Sequence, residues 1–119
     1  MSEAEARSWA LKLAPAGMAE KLKALEIWVS EADGQILGWA AIKGDRLEGL
    51  YTGPAFAGRG VGSGLLSWIE NLMRERKIFA MRAVASPNAI DFYLGRGFAP
   101  TAPRAADRTL EIEKRLGPL

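Results

Sequence analysis

Near the middle of the chain four glycines fall within seven residues, Gly58-Arg59-Gly60-Val61-Gly62-Ser63-Gly64. No other stretch so restricts what can fold here. Glycine lacks a Cβ, so such a run can take left-handed backbone angles and let another group approach the main chain closely. The residues beyond it read as a helix reaching about Lys77, because Val61, Leu65, Ile69, Leu72 and Met73 recur three or four residues apart as one core-facing stripe. The residues before it read as a strand, Arg46 to Thr52, closed by Gly53-Pro54. A glycine bend entering a helix presents backbone N–H groups and the positive end of the helix dipole, a combination that suits phosphate oxygens. The plainer reading is a flexible loop that lets helix and sheet pack tightly.

Two phosphate motifs can be tested against the run and both fail. A Walker loop needs Gly-Lys-Ser/Thr at the helix start, and no Lys occurs between Gly58 and Gly64. A dinucleotide fingerprint needs a third Gly or Ala three residues after the second, where this chain has Leu65 or Ser63, and no Asp or Glu follows at the next strand's end to take a ribose. A nucleotide-like ligand without those needs remains open, coenzyme A with its pyrophosphate among them.

The rest of the chain bounds the chemistry. Its 119 residues suit a single domain spanning 1–119, and 16 Lys+Arg against 14 Asp+Glu leave a net charge of +2, too little to argue for nucleic acid as a partner. With no Cys and no His, thiol nucleophiles, histidine acid–base chemistry and zinc sites built on either residue are excluded. No metal is expected. No apolar run approaches the ~20 residues of a membrane span, and Met1-Ser2-Glu3-Ala4-Glu5 lacks the basic start of a secretory signal. The expectation is a cytoplasmic protein with no membrane partner.

Residues 2 to 24 read as helical, with Ser2 and Glu5 as a capping box and Pro15 opening a second short helix whose stripe is Met18, Leu22 and Leu25. The period then becomes extended. Glu26–Glu31 and Ile36–Ile42 read as strands about the Asp33-Gly34 turn, and Lys43-Gly44-Asp45 leads into Arg46–Thr52. After the long helix, Phe79–Ala85 reads as a strand reached by a parallel crossover. Ser86-Pro87-Asn88 starts a helix stopped by Gly95 or Gly97, and Thr109–Glu113 reads as the last strand. The fold class is α/β, a mixed and mainly antiparallel sheet flanked by helices.

Two blocks together resemble a known family. Leu50-Tyr51-Thr52-Gly53-Pro54, Gly58-Arg59-Gly60-Val61-Gly62 and Leu65-Leu66 are similar to the central motif of the GNAT acetyltransferase superfamily, and Asn88-Ala89-Ile90-Asp91-Phe92-Tyr93-Leu94-Gly95-Arg96-Gly97-Phe98 is similar to its later helix ending in Tyr, three residues, then Gly-Phe. The resemblance covers about residues 26 to 114. It implies a GNAT-like fold and direct transfer of acetyl from acetyl-CoA to an amine of a small molecule or peptide, with no covalent enzyme intermediate. The implied coenzyme contacts are Arg59, Gly60, Val61, Gly62, Ser63 and Gly64 on the pyrophosphate, Leu50, Tyr51 and Thr52 along the pantetheine arm, and Asn88. The N–H of Leu50 or Tyr51 could polarise the thioester carbonyl.

Tyr93 is the candidate acid for the leaving thiolate. Glu48, on one strand face with Thr52, is the candidate base for the incoming ammonium. Against these stand plainer readings, of Tyr93 as a core aromatic and Glu48 as a solvated strand carboxylate. Glu70 and Asp91 read as exposed helix residues, Phe92 and Phe98 as core. Trp28, Trp39 and Trp68 read as core or interface, with Trp39 the one that could line an acceptor pocket.

Three departures qualify the resemblance. Ala57 stands where the family usually has Gln or Arg, Asn88 is closer to Ala89 than the family's Asn is to its Ala, and no strand is legible before residue 26. The last implies a fold lacking a clear first strand or completed by another chain, and an open strand edge favours a homodimer. The alternative function is a non-catalytic, coenzyme-A-binding regulatory or interaction module completed by a partner chain.

Overall fold

A computed structural model of the chain describes residues 25–56 and 58–117. The helices expected over 2–24, the capping box at Ser2 and Glu5, the expected lack of an opening strand, and Ala57 lie outside the described residues. Six strands form a mixed sheet: β1 (Glu26–Ala32), β2 (Gln35–Lys43), β3 (Arg46–Thr52), β4 (Ala80–Ala85), β5 (Ala99–Pro100) and β6 (Leu110–Arg115), in the hydrogen-bonded order β1-β2-β3-β4-β6-β5. Among the described residues two α-helices accompany it, α1 (Val61–Glu75) and α2 (Ile90–Leu94). Among the described residues no helix is long and apolar enough to cross a membrane.

The chain divides into two compact units. The first takes the described residues through Gly44 together with Glu48–Ile69, and the second takes Asp45–Leu47 and Glu70 onward. In the first, β1 and β2 pair antiparallel with Ile27 opposite Ala41 and Val29 opposite Trp39. Asp33 and Gly34 turn the chain with φ of 51° and 76°, the left-handed pair that matches the twist of a two-residue hairpin. Alternation sends Ile27 and Val29 to one face, where both are fully buried with Leu25 and Ala41. Each such side chain contributes about 1.5–3 kcal/mol of apolar burial. On α1 the expected stripe holds at Val61, Leu65, Ile69 and Met73, all buried; Leu72 is only half-buried, and Leu66 is buried with the others. Trp68 of α1 sets its ring 5.5 Å from that of Trp28 on β1 and stays 42% exposed.

In the second unit the start of β3 runs parallel to β4, Arg46 opposite Arg82 and Leu47 opposite Ala83, which is the expected crossover. β4 pairs antiparallel with β6, from Ala80 opposite Arg115 to Ala85 opposite Leu110. The helix ends at Glu75 rather than Lys77 because Lys77 turns left-handed, φ 63°. Its N–H bonds the Arg74 carbonyl and that of Ile78 bonds the Met73 carbonyl, a closed helix end that turns the chain toward β4.

One expectation is corrected here. Glu70 is not an exposed helix residue; it is 8% exposed. Lys114 Nζ lies 2.9 Å from its carboxylate and Arg74 3.8 Å from it, so its burial is compensated by two cations. Asp91 is exposed as expected.

Candidate functional site

The site in the first unit grows from the end of β3. Gly53 N–H donates to the Leu37 carbonyl at 2.8 Å, tying the strand's end to β2, and Pro54–Phe56 then form one turn of 3-10 helix. Gly58 and Gly60 come next, with φ of 80° and 78°. A Cβ built on either would meet nothing within 4 Å. The glycines are therefore demanded by the backbone angle, and the space beside them is left open by the chain itself. Gly64 N–H is bonded to the Gly60 carbonyl at 2.9 Å, so the amides of Val61, Gly62 and Ser63 occupy the first helical turn, where N–H groups point out along the axis. No acidic residue lies in that turn, so the positive end of the dipole carries no internal counter-charge. Arg59 is exposed, its guanidinium 5.8 Å from the Phe56 ring centroid. The arrangement can hold a dianion by main-chain donors, with one exposed cation alongside.

Leu50, Tyr51 and Thr52 are half-buried and Glu48 is exposed. Gly38 of β2 approaches this strand so closely that a Cβ there would stand 2.4 Å from the Tyr51 carbonyl oxygen. Trp39 stacks on Tyr51 at 6.0 Å and 27°, and its ring also crosses Gly49, where a Cβ would come within 3.0 Å of the indole. Gly38, Gly49 and the Trp39–Tyr51 stack were not anticipated as a group. The available signal was a glycine inside each of two strands, which marks close approach.

The other predicted residues belong to the second unit. Tyr93 on α2 is buried, packed edge-on against Phe92 and Phe98 at 5.2 Å each. Burial pushes its phenol above the ordinary tyrosine range, so the hydroxyl stays protonated at neutral pH. Phe98 is core as expected, while Phe92 is half-buried under the Arg96 guanidinium, 3.8 Å from the ring centroid. Asn88 is exposed in the 3-10 turn before α2 and accepts a hydrogen bond from the Ser86 hydroxyl at 2.9 Å. The structure thus gathers Glu48, Leu50–Thr52 and Arg59–Gly64 in one unit and Asn88 and Tyr93 in the other.

A separate groove of about 220 Å³ lies in the second unit, lined by Arg46, Arg82, Thr101, Glu111 and Glu113 over Ala83, Val84 and Ile112. None of the predicted site residues lines it. Arg82 donates to both oxygens of Asp45, at 2.9 and 3.0 Å, and holds that carboxyl below the usual carboxylate range.

Comparison with known proteins points the same way. The family model for the Acetyltransferase (GNAT) domain matches residues 1–112. Among solved structures, the chain is similar to the GCN5-related N-acetyltransferase "Aminotransferase, Class-II" of Rhodopseudomonas palustris, with 27% identity, a TM-score of 0.75, and 98% of this chain and 78% of that one covered. It is also similar in fold to Tetrahymena GCN5, at 16% identity and TM-score 0.75 over 97% and 84% of the two chains. A third is the PaiA N-acetyltransferase of Thermoplasma acidophilum in complex with coenzyme A, at 20% identity and TM-score 0.67 over 97% and 80%. No curated protein matches the sequence.

Proposed function

This chain belongs to the GNAT acetyltransferase family, and we propose that it transfers an acetyl group directly from acetyl-CoA to a primary amine of a small molecule or peptide. The observation that carries the reading is the bend at Gly58–Gly60. Its left-handed glycines and acid-free helix start leave open space beside main-chain donors, which suits a diphosphate. When bound, the coenzyme supplies an activated thioester. Arg59 and the amides of Gly60, Val61, Gly62 and Ser63 hold its diphosphate, Gly64, whose N–H is bonded to the Gly60 carbonyl, leaves room beside them, Asn88 adds a polar contact, and the backbone of Leu50, Tyr51 and Thr52 aligns the pantetheine arm.

The chain's own groups then divide the proton work. The N–H of Leu50 or Tyr51 donates to the oxygen on which negative charge develops. Glu48, exposed on β3, accepts the proton of the incoming ammonium. Tyr93, kept neutral by burial, donates a hydrogen bond to the leaving sulfur. The absence of Cys from the sequence supports a transfer without an acyl-thioester on the enzyme.

Thiol release from acetyl-CoA with a panel of amines tests the activity, and calorimetry with coenzyme A tests the cradle. Gly60→Glu and Gly62→Glu are each expected to weaken coenzyme binding by about a hundredfold or more, roughly 2.7 kcal/mol, with the cooperative melt preserved. Unchanged affinity in both variants removes the cradle from the reading. Coenzyme binding without turnover on any amine would instead identify a binding module.

A further inference from the structure

Tyr93 sits on a helix too short to hold itself. α2 has five residues, its N-cap Ala89 makes no side-chain hydrogen bond, and a single helical turn is not stable alone. What fixes the tyrosine must come from packing and from the turn that follows. There Arg96 N–H and Phe98 N–H both donate to the Tyr93 carbonyl, at 2.9 and 3.3 Å, and Gly97 N–H donates to the Leu94 carbonyl at 3.4 Å. Gly97 carries the chain around with a φ of 94°. Phe98 then sets its ring edge-on to the Tyr93 ring at 5.2 Å.

The side chain of Lys114 lies against this turn. Lys114 stands opposite fully buried Met81 in the β4–β6 ladder, so it leaves β6 on the buried face. A Cβ at Gly97 would meet its Cε at 3.1 Å, its Nζ at 3.6 Å and its Cδ at 3.7 Å. The ammonium ends 2.9 Å from the Glu70 carboxylate, which is nearly closed to solvent, and the Lys114 side chain is only 22% exposed. A free lysine stem samples many rotamers; one whose charge is bound at a fixed carboxylate is confined to few. Glu70 is fixed in turn by its place on α1 and by Arg74 at 3.8 Å.

We infer that Lys114, anchored by Glu70, is a positioning residue for Tyr93. Its stem is the bed on which the Arg96–Phe98 turn rests, and that turn sets where the phenol stands. This role rests on the proposed acid function of Tyr93 and deepens it by naming the pair that keeps the acid in place. Lys114 takes no part in proton transfer. A reacting group misplaced by about 1 Å can cost on the order of a hundredfold in rate. A bed that shifts by one rotamer is therefore enough to slow the chemistry while the coenzyme still binds.

The test is a double-mutant cycle. Lys114→Ala should lower kcat about tenfold, with KM for acetyl-CoA unchanged. In a Tyr93→Phe background the same change should lower kcat by less than about twofold, because no hydroxyl is left to position. Lys114→Arg, which keeps the charge, should restore most of kcat. Lys114→Met, which keeps the stem, takes the place of Lys114→Ala in the cycle if that variant does not fold. A second readout needs no substrate. The chain has two tyrosines, Tyr51 and Tyr93. In NMR spectra of protein with ring-labelled tyrosine, the Tyr93 resonance is identified by its loss in Tyr93→Phe and should be displaced by the neighbouring rings of Phe92 and Phe98. In Lys114→Ala it should return toward the free-tyrosine position while the Tyr51 resonance stays.

A folded Lys114→Ala protein with full kcat, or with an unmoved Tyr93 resonance, overturns the positioning role while the acetyl transfer stands. A drop in kcat of equal size with and without the Tyr93 hydroxyl does the same, since the effect then acts elsewhere. A full rate in Tyr93→Phe, or no thiol release with any amine, overturns the parent reading instead, and the positioning role falls with it.

Discussion

Each of the two compact units is held together internally, and the forces differ. The first relies on close approach and apolar contact: Ile27 and Val29 in the core, Trp28 against Trp68, Trp39 against Tyr51, and a Gly53-to-Leu37 backbone bond at the strand end. The second relies on charge placed between distant segments. Lys114 meets Glu70 at 2.9 Å, Arg82 grips Asp45 with two hydrogen bonds, and the Arg74 side chain donates to the Gly117 carbonyl. The proposed function gives the unit with the glycine bend a reason to keep small residues and an acid-free helix start, because a fixed carboxylate there would compete with an anionic ligand. The other unit is free to use ion pairs, and it becomes sensitive to pH and salt in exchange.

That contrast can be broken at its strongest point by Gly38→Ala. The new Cβ would stand 2.4 Å from a backbone oxygen, which cannot rotate away, so β2 and β3 must part. A loss of about 3 kcal/mol is expected, read as a lower urea midpoint, and it should not depend on salt. A change below about 0.5 kcal/mol would show that close approach is not what holds the first unit.

Next in size is Tyr93→Phe, which removes a hydroxyl and keeps the packing on Phe92 and Phe98. Turnover should fall about tenfold to a hundredfold with little change in coenzyme affinity. In the wild type, burial keeps the phenol protonated, so no loss of rate from this group is expected on the alkaline side until the pH passes the ordinary tyrosine value. An unchanged rate in Tyr93→Phe assigns the residue to packing alone.

A smaller effect is expected from Glu70→Gln, which leaves Lys114 facing a neutral amide in a site that is nearly closed to solvent. The cost should be about 1–2 kcal/mol, measured by denaturant melts, and part of it should vanish in high salt. Smallest of all is Asp45→Asn, at a solvent-exposed pair. The folded pKa of Asp45 is depressed, so its contribution is present above the unfolded value near 4 and is lost as pH falls through the folded one. The melting difference between wild type and Asp45→Asn should therefore be full at neutral pH and shrink in acid as the carboxylate of the folded protein takes up its proton. A difference that persists in acid would assign the effect to something other than this ion pair.

Much of the fold was legible because its signals are local. Alternation marked β1 to β3, the positive-φ turn at Asp33-Gly34 placed the hairpin, and the Val61–Leu65–Ile69–Met73 spacing drew α1. The bend was equally readable, since four close glycines have few other uses. The features that could not be read depend on partners far along the chain. Glu70 looked like one more surface carboxylate, because nothing near it in sequence announces Lys114. The end of α1 fell short of Lys77 because that residue itself adopts a left-handed angle usually left to glycine. The packing of Trp39 over Gly49 was signalled only by a glycine inside a strand, which marks close approach without naming the ring that approaches.

The left-handed pair at Gly58 and Gly60 has a practical consequence for mapping the site. On the proposed reading, recognition there is carried mainly by atoms that every amino acid owns, so truncating side chains one by one would pass over it almost silently. Replacing single peptide nitrogens by ester oxygens across residues 60–63 would expose it, each swap deleting one donor while the outline of the protein stays the same.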